Sequence, residues 1–399
     1  MTGAKKFMTR IVVMFIFLVS VENSLINSAL GEIAKAFPNT NPSLISLCAT
    51  LASLFMFLMS FYVARVADKR NKKNLVLIGL ILYLVGGVGN FFFAGNIWHI
   101  LIGRAIQGVG AGISAPMCGA IIAELYEGGE RAHMYGLTNG VDSIIGTFAT
   151  MLGGALMLIS WNYIFLTYLI FVIVIVLVIL FLPSIPPKSI ESIQSPTEKK
   201  KLTLTRGQWI QLIFMTAFMF LVTIGSFQIL LNLAIYTTQY NVGSPLLIAT
   251  TFSTFTMVTM GVSLIFGFIF KLFKRFTLLL PPVFAIVAFL VLLSTPSVVS
   301  IFAAAALCGI CNGIIQPGIQ NHMSSLFGEQ NASRAISITM GGLFLGMFCG
   351  SFVTSFLGLF GGGSLQSVFI FGIIICAICA VLYVISVLTN KSRKDAQTA

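Results

Sequence analysis

Runs of about 20 apolar residues recur along this chain, and they constrain its fold more than any other feature. Each run is long enough to cross a hydrocarbon core of about 30 Å as a helix. Because every backbone amide inside a bilayer must be hydrogen-bonded within its own segment, the runs predict helices rather than open strands. The sequence therefore predicts an all-α membrane protein with twelve transmembrane helices. The runs lie near residues 11–36, 45–64, 75–95, 99–123, 134–158, 163–183, 208–235, 246–270, 276–294, 299–323, 335–360 and 366–388.

The positions of the Lys and Arg residues predict how these helices are oriented. The formal net charge of +12 could by itself indicate nucleic-acid binding. However, all of the 23 Lys and Arg residues except Lys35 and Arg104 fall on one side of the predicted spans. By the positive-inside rule that side is cytoplasmic, and both chain termini lie on it. The charge thus predicts a topology in the lipid bilayer and no nucleic-acid partner.

A polar stretch divides the chain into two parts. Residues 184–207 are rich in Pro, Ser and Lys and have six predicted spans on either side, which is typical of a cytoplasmic linker. We therefore expect an N-terminal six-helix half over residues 1–183 and a C-terminal half over residues 208–399. Residues 108–116 of the fourth span can be aligned with residues 309–317 of the tenth, as expected for parallel repeats of six spans.

Two acids are predicted deep within spans. Glu22 lies roughly 18 Å and Asp142 roughly 13 Å from the cytoplasmic ends, at 1.5 Å per residue. An ionised side chain at such depth costs on the order of 2.5 to 3.5 kcal/mol or more, so it must face protein or water. A carboxyl that alternates between apolar and cationic surroundings can take up a proton on one side and release it on the other. We expect this role for Glu22, whereas Asp142 fits equally well as a buried acid hydrogen-bonded to Thr138 or Ser143.

Other polar and small residues in the spans are candidates for substrate contact or helix packing. Arg104 is the only cation predicted inside the hydrocarbon. It is a candidate for contact with substrate or proton-coupling acids; the alternative is that its long side chain reaches the outer surface. The polar candidates of the seventh and tenth spans would serve equally well as interhelical hydrogen-bonding groups. The substrate-binding candidates are Asn23, Asn27, Gln107, Gln228, Asn232, Tyr236, Asn312 and Gln316. The glycines expected to allow close helix packing are Gly108, Gly110, Gly112, Gly153 and Gly154.

The loop between the second and third spans reads Ala-Arg-Val-Ala-Asp-Lys-Arg-Asn-Lys-Lys over residues 64–73. It resembles the signature Gly-x-Leu-Ala-Asp-Arg-x-Gly-Arg-Lys of the major facilitator superfamily. Asn71 replaces a glycine of that signature, and Asn tolerates the left-handed backbone that a tight turn needs. The resemblance implies that Asp68 bridges to a neighbouring helix end and stabilises one of two access states; the alternative is that it only offsets local cations. The implied conformational-switch motif comprises Asp68, Lys69, Arg70, Lys72 and Lys73.

Two further stretches resemble motifs of this superfamily. Residues 104–110, Arg-Ala-Ile-Gln-Gly-Val-Gly, resemble a span-four motif whose arginine lines the central cavity. Residues 22–31 resemble the Asp-x-Thr-Ile-Val-Asn-x-Ala-Leu-Pro element of drug:proton antiporters. The span-five motif Gly-Pro-x-x-Gly-Gly of that class reads Ala-Thr-Met-Leu-Gly-Gly here, over residues 149–154, and its Pro is lost. Because that motif is associated with antiport, the direction of transport stays open.

The resemblance implies a monomeric secondary active transporter of the plasma membrane that works by alternating access. The leading interpretation is proton-coupled efflux of hydrophobic or cationic drug-like compounds, with Glu22, Asp142 and Arg104 as the proton-coupling residues. The alternative is an importer or exchanger of a small anionic metabolite, which Arg104 would bind. We expect no enzyme, cofactor or metal, because no acid pair has metal-ligand spacing and no phosphate-binding loop occurs.

Overall fold

The computed structural model describes residues 3–40, 42–67, 69–185, 205–240, 242, 245–360 and 364–398. Over these ranges the chain forms α-helices with short 3-10 turns, as predicted for an all-α protein. The helices are α1 (Gly3–Ile16), α2 (Glu22–Ala36), α3 (Pro42–Val66), α4 (Lys72–Phe92), α5 (Ile97–Leu125), α6 (Gly128–Met157), α7 (Ile170–Phe181), α8 (Arg206–Leu231), α9 (Leu233–Gln239), α10 (Pro245–Leu264), α11 (Phe266–Phe273), α12 (Leu280–Ser294), α13 (Val298–Gly350), α14 (Val353–Gly358) and α15 (Leu365–Thr398).

Ten helical segments among the described residues are long and apolar enough to cross a membrane. Four of the twelve predicted runs are each divided between two α-helices, among them the seventh between α8 and α9 and the eleventh between α13 and α14. The first is divided into α1 and α2 by a 3-10 turn at Phe17–Val21, and the eighth between α10 and α11. A 3-10 stretch inside a longer helix often marks a functional hinge. The turn at Phe17–Val21 places Glu22 at the first position of α2, which hydrophobicity did not predict.

Helix α13 is assigned as one helix of 53 residues, but it folds back on itself. The Gln320 Nε2 atom lies 3.4 Å from the Met340 Sδ atom. In a straight helix, residues 20 positions apart would be separated by about 30 Å. Gln320 and Ile336 also both lie within 4 Å of the position that a Cβ atom at Gly119 of α5 would occupy. The segment therefore forms two antiparallel arms, Val298–Phe327 and Asn331–Gly350, which correspond to the tenth and eleventh predicted runs.

Helix α5 is the most buried of the ten segments. In its most apolar stretch of 18 residues, 83% of the residues are buried inside the protein. Glycines let α3 and α4 approach it closely. A Cβ atom at Gly110 would lie 2.5 Å from the Gly79 O atom and 2.5 Å from the Tyr83 N atom of α4. A Cβ atom at Gly112 would lie 2.7 Å from the Met56 Cα atom of α3. Close backbone approach of this kind is the usual role of small residues between membrane helices.

Helices α1–α7 contact helices α8–α15 near the ends that carry the basic loops. Gly341 of α13 packs on Ser60 of α3, which lies about 9 Å before the end of that helix at 1.5 Å per residue. Gly136 of α6 lies against the backbone of Ser263 in α10, about 12 Å after the start of α6. These contacts bring the two groups of helices together on the predicted cytoplasmic side.

Candidate functional site

Arg104 is completely buried in α5, and each of its three guanidinium nitrogens donates to the protein. Nε donates to the Cys48 carbonyl at 2.7 Å, Nη1 to Gln107 Oε1 at 3.1 Å and Nη2 to the Ala49 carbonyl at 3.4 Å. The side chain therefore does not extend to the outer surface. Charge-assisted hydrogen bonds of this kind attach α5 to the start of α3.

Two amide side chains near Arg104 have unused donors. Gln107 is buried, and its Nε2 atom has no hydrogen-bond partner among the described residues; it faces Gly87 of α4. The Asn90 Nδ2 atom is likewise buried without a partner there, next to Gly103. Buried amide donors are normally satisfied. The interface of α4 and α5 thus holds polar groups that a bound molecule could use after a small separation of the helices.

Asp142 lies in the middle of α6, and its Oδ1 atom is buried with no hydrogen-bond partner among the described residues. The two nearby hydroxyls bond to their own helix. Thr138 Oγ1 donates to the Met134 carbonyl at 2.7 Å, and Ser143 Oγ donates to the Asn139 carbonyl at 3.1 Å. The Thr138 and Ser143 hydroxyl protons are therefore not donated to the carboxyl in this structure.

Glu22, Asn23 and Asn27 lie on α2, and their side chains are outside the described part of the chain. The backbone nevertheless places α2 against α6, since a Cβ atom at Gly153 would lie 3.1 Å from the Leu25 Cδ2 atom. A small apolar cavity opens between these helices. It is lined by Leu18, Leu25, Ile145, Ala149, Thr167, Ile170 and Phe171. Leu18 and Leu25 lie on either side of position 22 in the sequence, and Ile145 lies about one helical turn after Asp142.

The polar candidates of the seventh span connect helices of the C-terminal region. Gln228 Nε2 donates to the Gly350 carbonyl at 3.0 Å, and Thr354 Oγ1 donates to Asn232 Oδ1 at 3.4 Å. The Tyr236 hydroxyl donates to the Leu292 carbonyl at 2.8 Å. In this conformation these three candidates bond to neighbouring helices, one of the two roles that the sequence allowed.

Asn312 and Gln316 are half-buried on the first arm of α13. No hydrogen bond joins either side chain to the rest of the described chain. Because they lie one turn apart, they form one polar patch on that arm.

The loop motif between α3 and α4 is only partly described, since Asp68 lies outside the described residues. Lys69 and Arg70 are exposed. Lys73 Nζ donates to the Ile179 carbonyl near the end of α7 at 2.8 Å. Asn71 corrects the sequence interpretation: its φ is −63°, and it caps α4 by accepting from the Lys73 N–H at 3.0 Å. An ordinary N-cap, and not a left-handed turn, explains Asn at this position.

The remaining glycine candidates differ in their surroundings. A Cβ atom at Gly108 would meet the Ala52 backbone of α3, and one at Gly153 would lie 2.9 Å from Ile164. A Cβ atom at Gly154 would meet no atom within 4 Å.

Comparison with protein families decides the class of this chain. The family model described as Major Facilitator Superfamily matches residues 12–302 and 274–399. The chain belongs to the major facilitator superfamily. The match confirms the resemblance read from the loop motif and from the fourth span.

Relatives of this superfamily member include proteins named for drug resistance. Multidrug resistance protein MdtL of Klebsiella pneumoniae (strain 342) is 32% identical over 120 residues, which is 30% of this chain and 29% of that protein. Multidrug resistance protein 3 of Bacillus subtilis (strain 168) is 27% identical over 169 residues, 41% of this chain and 32% of that protein. The chain thus spans about a third of the length of the curated relatives it matches.

Solved structures show the same fold at low sequence identity. The human organic anion transporter MFSD10 covers 94% of this chain and 99% of its own, with a TM-score of 0.75 and 15% identity. The proton:xylose symporter XylE covers 96% of this chain and 95% of its own, with a TM-score of 0.72 and 13% identity. These similarities establish the major facilitator fold.

Glu124 is a residue of this superfamily member that the sequence did not single out. It lies in the last turn of α5, and its side chain is 12% exposed. Its Oε1 atom lies 2.8 Å from Nζ of Lys72, whose side chain is 0% exposed. In the sequence, Glu124 directly follows the fourth apolar run, residues 99–123. The available signal was an acid that follows an apolar run on the same side as a basic loop. Its pairing with Lys72 could not be predicted, because that contact depends on how α4 packs on α5.

Glu124→Gln is expected to lower the free energy of unfolding by about 3–5 kcal/mol, because it leaves the Lys72 ammonium buried without its anion. Thermal unfolding of the purified protein in detergent measures this effect. The matched control is Glu130→Gln, which removes an ion pair with Arg10 whose side chains are 38% and 41% exposed and which is expected to cost about 1 kcal/mol or less. Equal shifts in the two variants would contradict the burial argument.

Proposed function

We propose that this chain is a secondary active transporter that exports hydrophobic or cationic drug-like compounds in exchange for protons, by alternating access. Membership of the major facilitator superfamily supports transport, and the relatives named for multidrug resistance support this class of substrate. Contact of the two helix groups at the predicted cytoplasmic side is consistent with one of two access states.

The proposal includes the topology expected from the sequence. Twelve membrane spans form two six-helix halves, residues 1–183 and 208–399, joined by a cytoplasmic linker at residues 184–207. Both termini are cytoplasmic, and the protein is a monomer in the plasma membrane. The ten segments described above, together with the divided first and eighth runs, support twelve crossings.

The observation that carries the proposal is the Asp142 Oδ1 atom, which is buried in the middle of α6 and has no hydrogen-bond partner among the described residues. A carboxyl in such a place is most stable when it carries a proton. Release of that proton requires water or a cation to approach, which a change of access or a cationic substrate provides. Leu25 of α2 and Ile145 and Ala149 of α6 line one cavity, which supports an exchange shared by Glu22 and Asp142.

The proposed substrate contacts are mainly polar side chains with a nitrogen or oxygen atom that lacks a hydrogen-bond partner among the described residues. The Gln107 amide on one side and the patch of Asn312 and Gln316 on the other are proposed to bind substrate, with Asn23 and Asn27 beside the coupling acid. Gln228, Asn232 and Tyr236 would join them when the hydrogen bonds between their helices open. The many Phe and Met residues of the chain supply adaptable apolar walls.

The test is proton release on substrate binding. Tetraphenylphosphonium, a hydrophobic cation, is added to purified protein in weakly buffered detergent, and a pH indicator records the protons released. We expect release from the unmodified protein and a clear reduction in Asp142→Asn, because the amide cannot give up a proton. The matched control is Glu127→Gln, which changes an exposed acid at the start of the same helix and is expected to release protons normally.

Two outcomes would contradict the proposal. One is unchanged proton release by Asp142→Asn. The other is no response to a panel of hydrophobic cations together with uptake of labelled small anions, which would favour an importer or exchanger of anionic metabolites. For that function an anion would have to displace the Cys48, Ala49 and Gln107 oxygens that now bind Arg104.

A further inference from the structure

The last turn of α11 and the turn that follows it carry three exposed cations, Lys271, Lys274 and Arg275. No ion pair joins them to the described part of the chain, and the sequence has no Asp or Glu from residue 199 to residue 328. Lys72, the first residue of α4, has Glu124 as its anion. The three cations therefore form no ion pair with the described residues, although the Lys271 Cε atom lies 3.8 Å from the position that a Cβ atom at Gly129 would occupy, between the exposed acids Glu127 and Glu130 in sequence.

This turn is held in a defined shape. The Tyr383 hydroxyl of α15 donates to the Arg275 carbonyl at 2.8 Å, and Thr277 Oγ1 donates to the Lys274 carbonyl at 2.7 Å. Lys274 has φ 47° and ψ −115°. These angles are those of the first central residue of a type II′ turn, where glycine is favoured. A lysine is therefore held in a strained conformation that presents its charge at this point, and such strain is often found at functional positions.

The surroundings of the turn are apolar and exposed. Phe268 and Leu272 on α11 are 68% and 64% exposed, as expected for side chains that face lipid. Phe273 and Phe276 flank the cations and are also exposed, and the Arg275 guanidinium lies 5.1 Å from the centre of the Phe276 ring. Cations next to exposed apolar side chains at the end of a membrane helix lie at the height of lipid headgroups.

We propose that Lys271, Lys274 and Arg275 form a binding site for the phosphate group of an anionic phospholipid in the adjoining leaflet. Clusters of Lys and Arg next to membrane helices attract anionic lipids. The exposed side chains of α11 provide an apolar surface for the acyl chains, and the two hydrogen bonds of the turn hold the backbone of Lys274 and Arg275 in one shape. The alternative is that these cations only orient the chain during membrane insertion. That role would not need the backbone of Lys274 and Arg275 to be fixed by hydrogen bonds, or the cations to be without ion pairs.

The test measures lipid retention by the purified full chain. Delipidated protein in detergent is incubated with equal amounts of phosphatidylglycerol and phosphatidylcholine, and native mass spectrometry counts the lipids bound. We expect the unmodified protein to prefer phosphatidylglycerol, and the variant K271Q/K274Q/R275Q to lose up to about 100-fold of this preference, at roughly five-fold per cation. The charge-conserving variant K271R/K274R/R275K should retain most of it.

A second variant separates this site from general basicity. R65Q/R206Q removes two other exposed cations from the predicted cytoplasmic side and should keep the preference. Thermal unfolding confirms that the variants are folded. Unchanged preference in K271Q/K274Q/R275Q, or equal loss in R65Q/R206Q, would overturn the proposal. Displacement of phosphatidylglycerol by millimolar inorganic phosphate would also overturn it, because the site would then recognise free phosphate and not a lipid.

Discussion

Replacing Glu22 with glutamine is expected to leave the protein folded in the membrane and to abolish substrate efflux driven by a pH gradient. The amide has nearly the same shape as the acid but cannot exchange a proton. The physical reason for choosing this position is its depth: an ionisable group at the start of α2 follows the 3-10 turn at Phe17–Val21 and lies within the first membrane run. Such groups in membrane helices are costly to keep and usually serve proton or ion pathways.

The measurement uses proteoliposomes with an imposed pH gradient and a fluorescent hydrophobic cation such as ethidium. Glu32→Gln is the matched control, because Glu32 lies on the same helix, is exposed and pairs with Lys35 at 2.7 Å. The control should transport normally, and Glu22→Gln should match the leak of protein-free liposomes. Normal gradient-driven movement by Glu22→Gln would show that Glu22 is not the coupling site.

Gly110→Leu is expected to prevent correct packing of α4 on α5 and to leave little monodisperse protein. A Cβ atom alone would lie 2.5 Å from two backbone atoms of α4, and backbone cannot move aside as a flexible side chain can. Adding single methylene groups to a packed core typically costs about 1–3 kcal/mol, and here a whole side chain must be accommodated.

The matched control is Gly154→Leu, because a Cβ atom at Gly154 would meet nothing within 4 Å. We expect that variant to be neutral or slightly stabilising, since leucine favours the helix over glycine by up to about 1 kcal/mol. Size-exclusion chromatography of both proteins after mild solubilisation measures the outcome. Similar profiles for the two variants would contradict the packing described for α5.

The superfamily and the positions of most helices could be predicted from sequence because the signals are local. Twenty apolar residues in a row define a span regardless of its neighbours. The loop motif before α4 and the Arg-x-x-Gln-Gly-x-Gly stretch of α5 are also contiguous, and the family match confirms what they indicated. The turn that divides α1 from α2 was missed, because hydrophobicity does not distinguish a 3-10 turn from an α-helix.

The candidate site was predicted less completely, because its contacts join residues far apart in the chain. The sequence singled out Arg104 but could not show that its acceptors are the carbonyls of Cys48 and Ala49. It offered hydrogen bonds from two neighbouring hydroxyls as one of two alternatives for Asp142, and the structure directs both hydroxyls to other atoms.

By itself, the sequence determined that this protein is a helical membrane protein of the major facilitator superfamily, with acids placed deep in apolar spans. Only the tertiary structure decided which groups meet. It paired Lys72 with Glu124, made Asn71 a helix cap, and distinguished the tightly packed Gly110 from the open Gly154. The physical reason is that insertion into lipid depends on the apolar surface of each segment alone, whereas hydrogen bonds, ion pairs and close contacts depend on how separate segments pack.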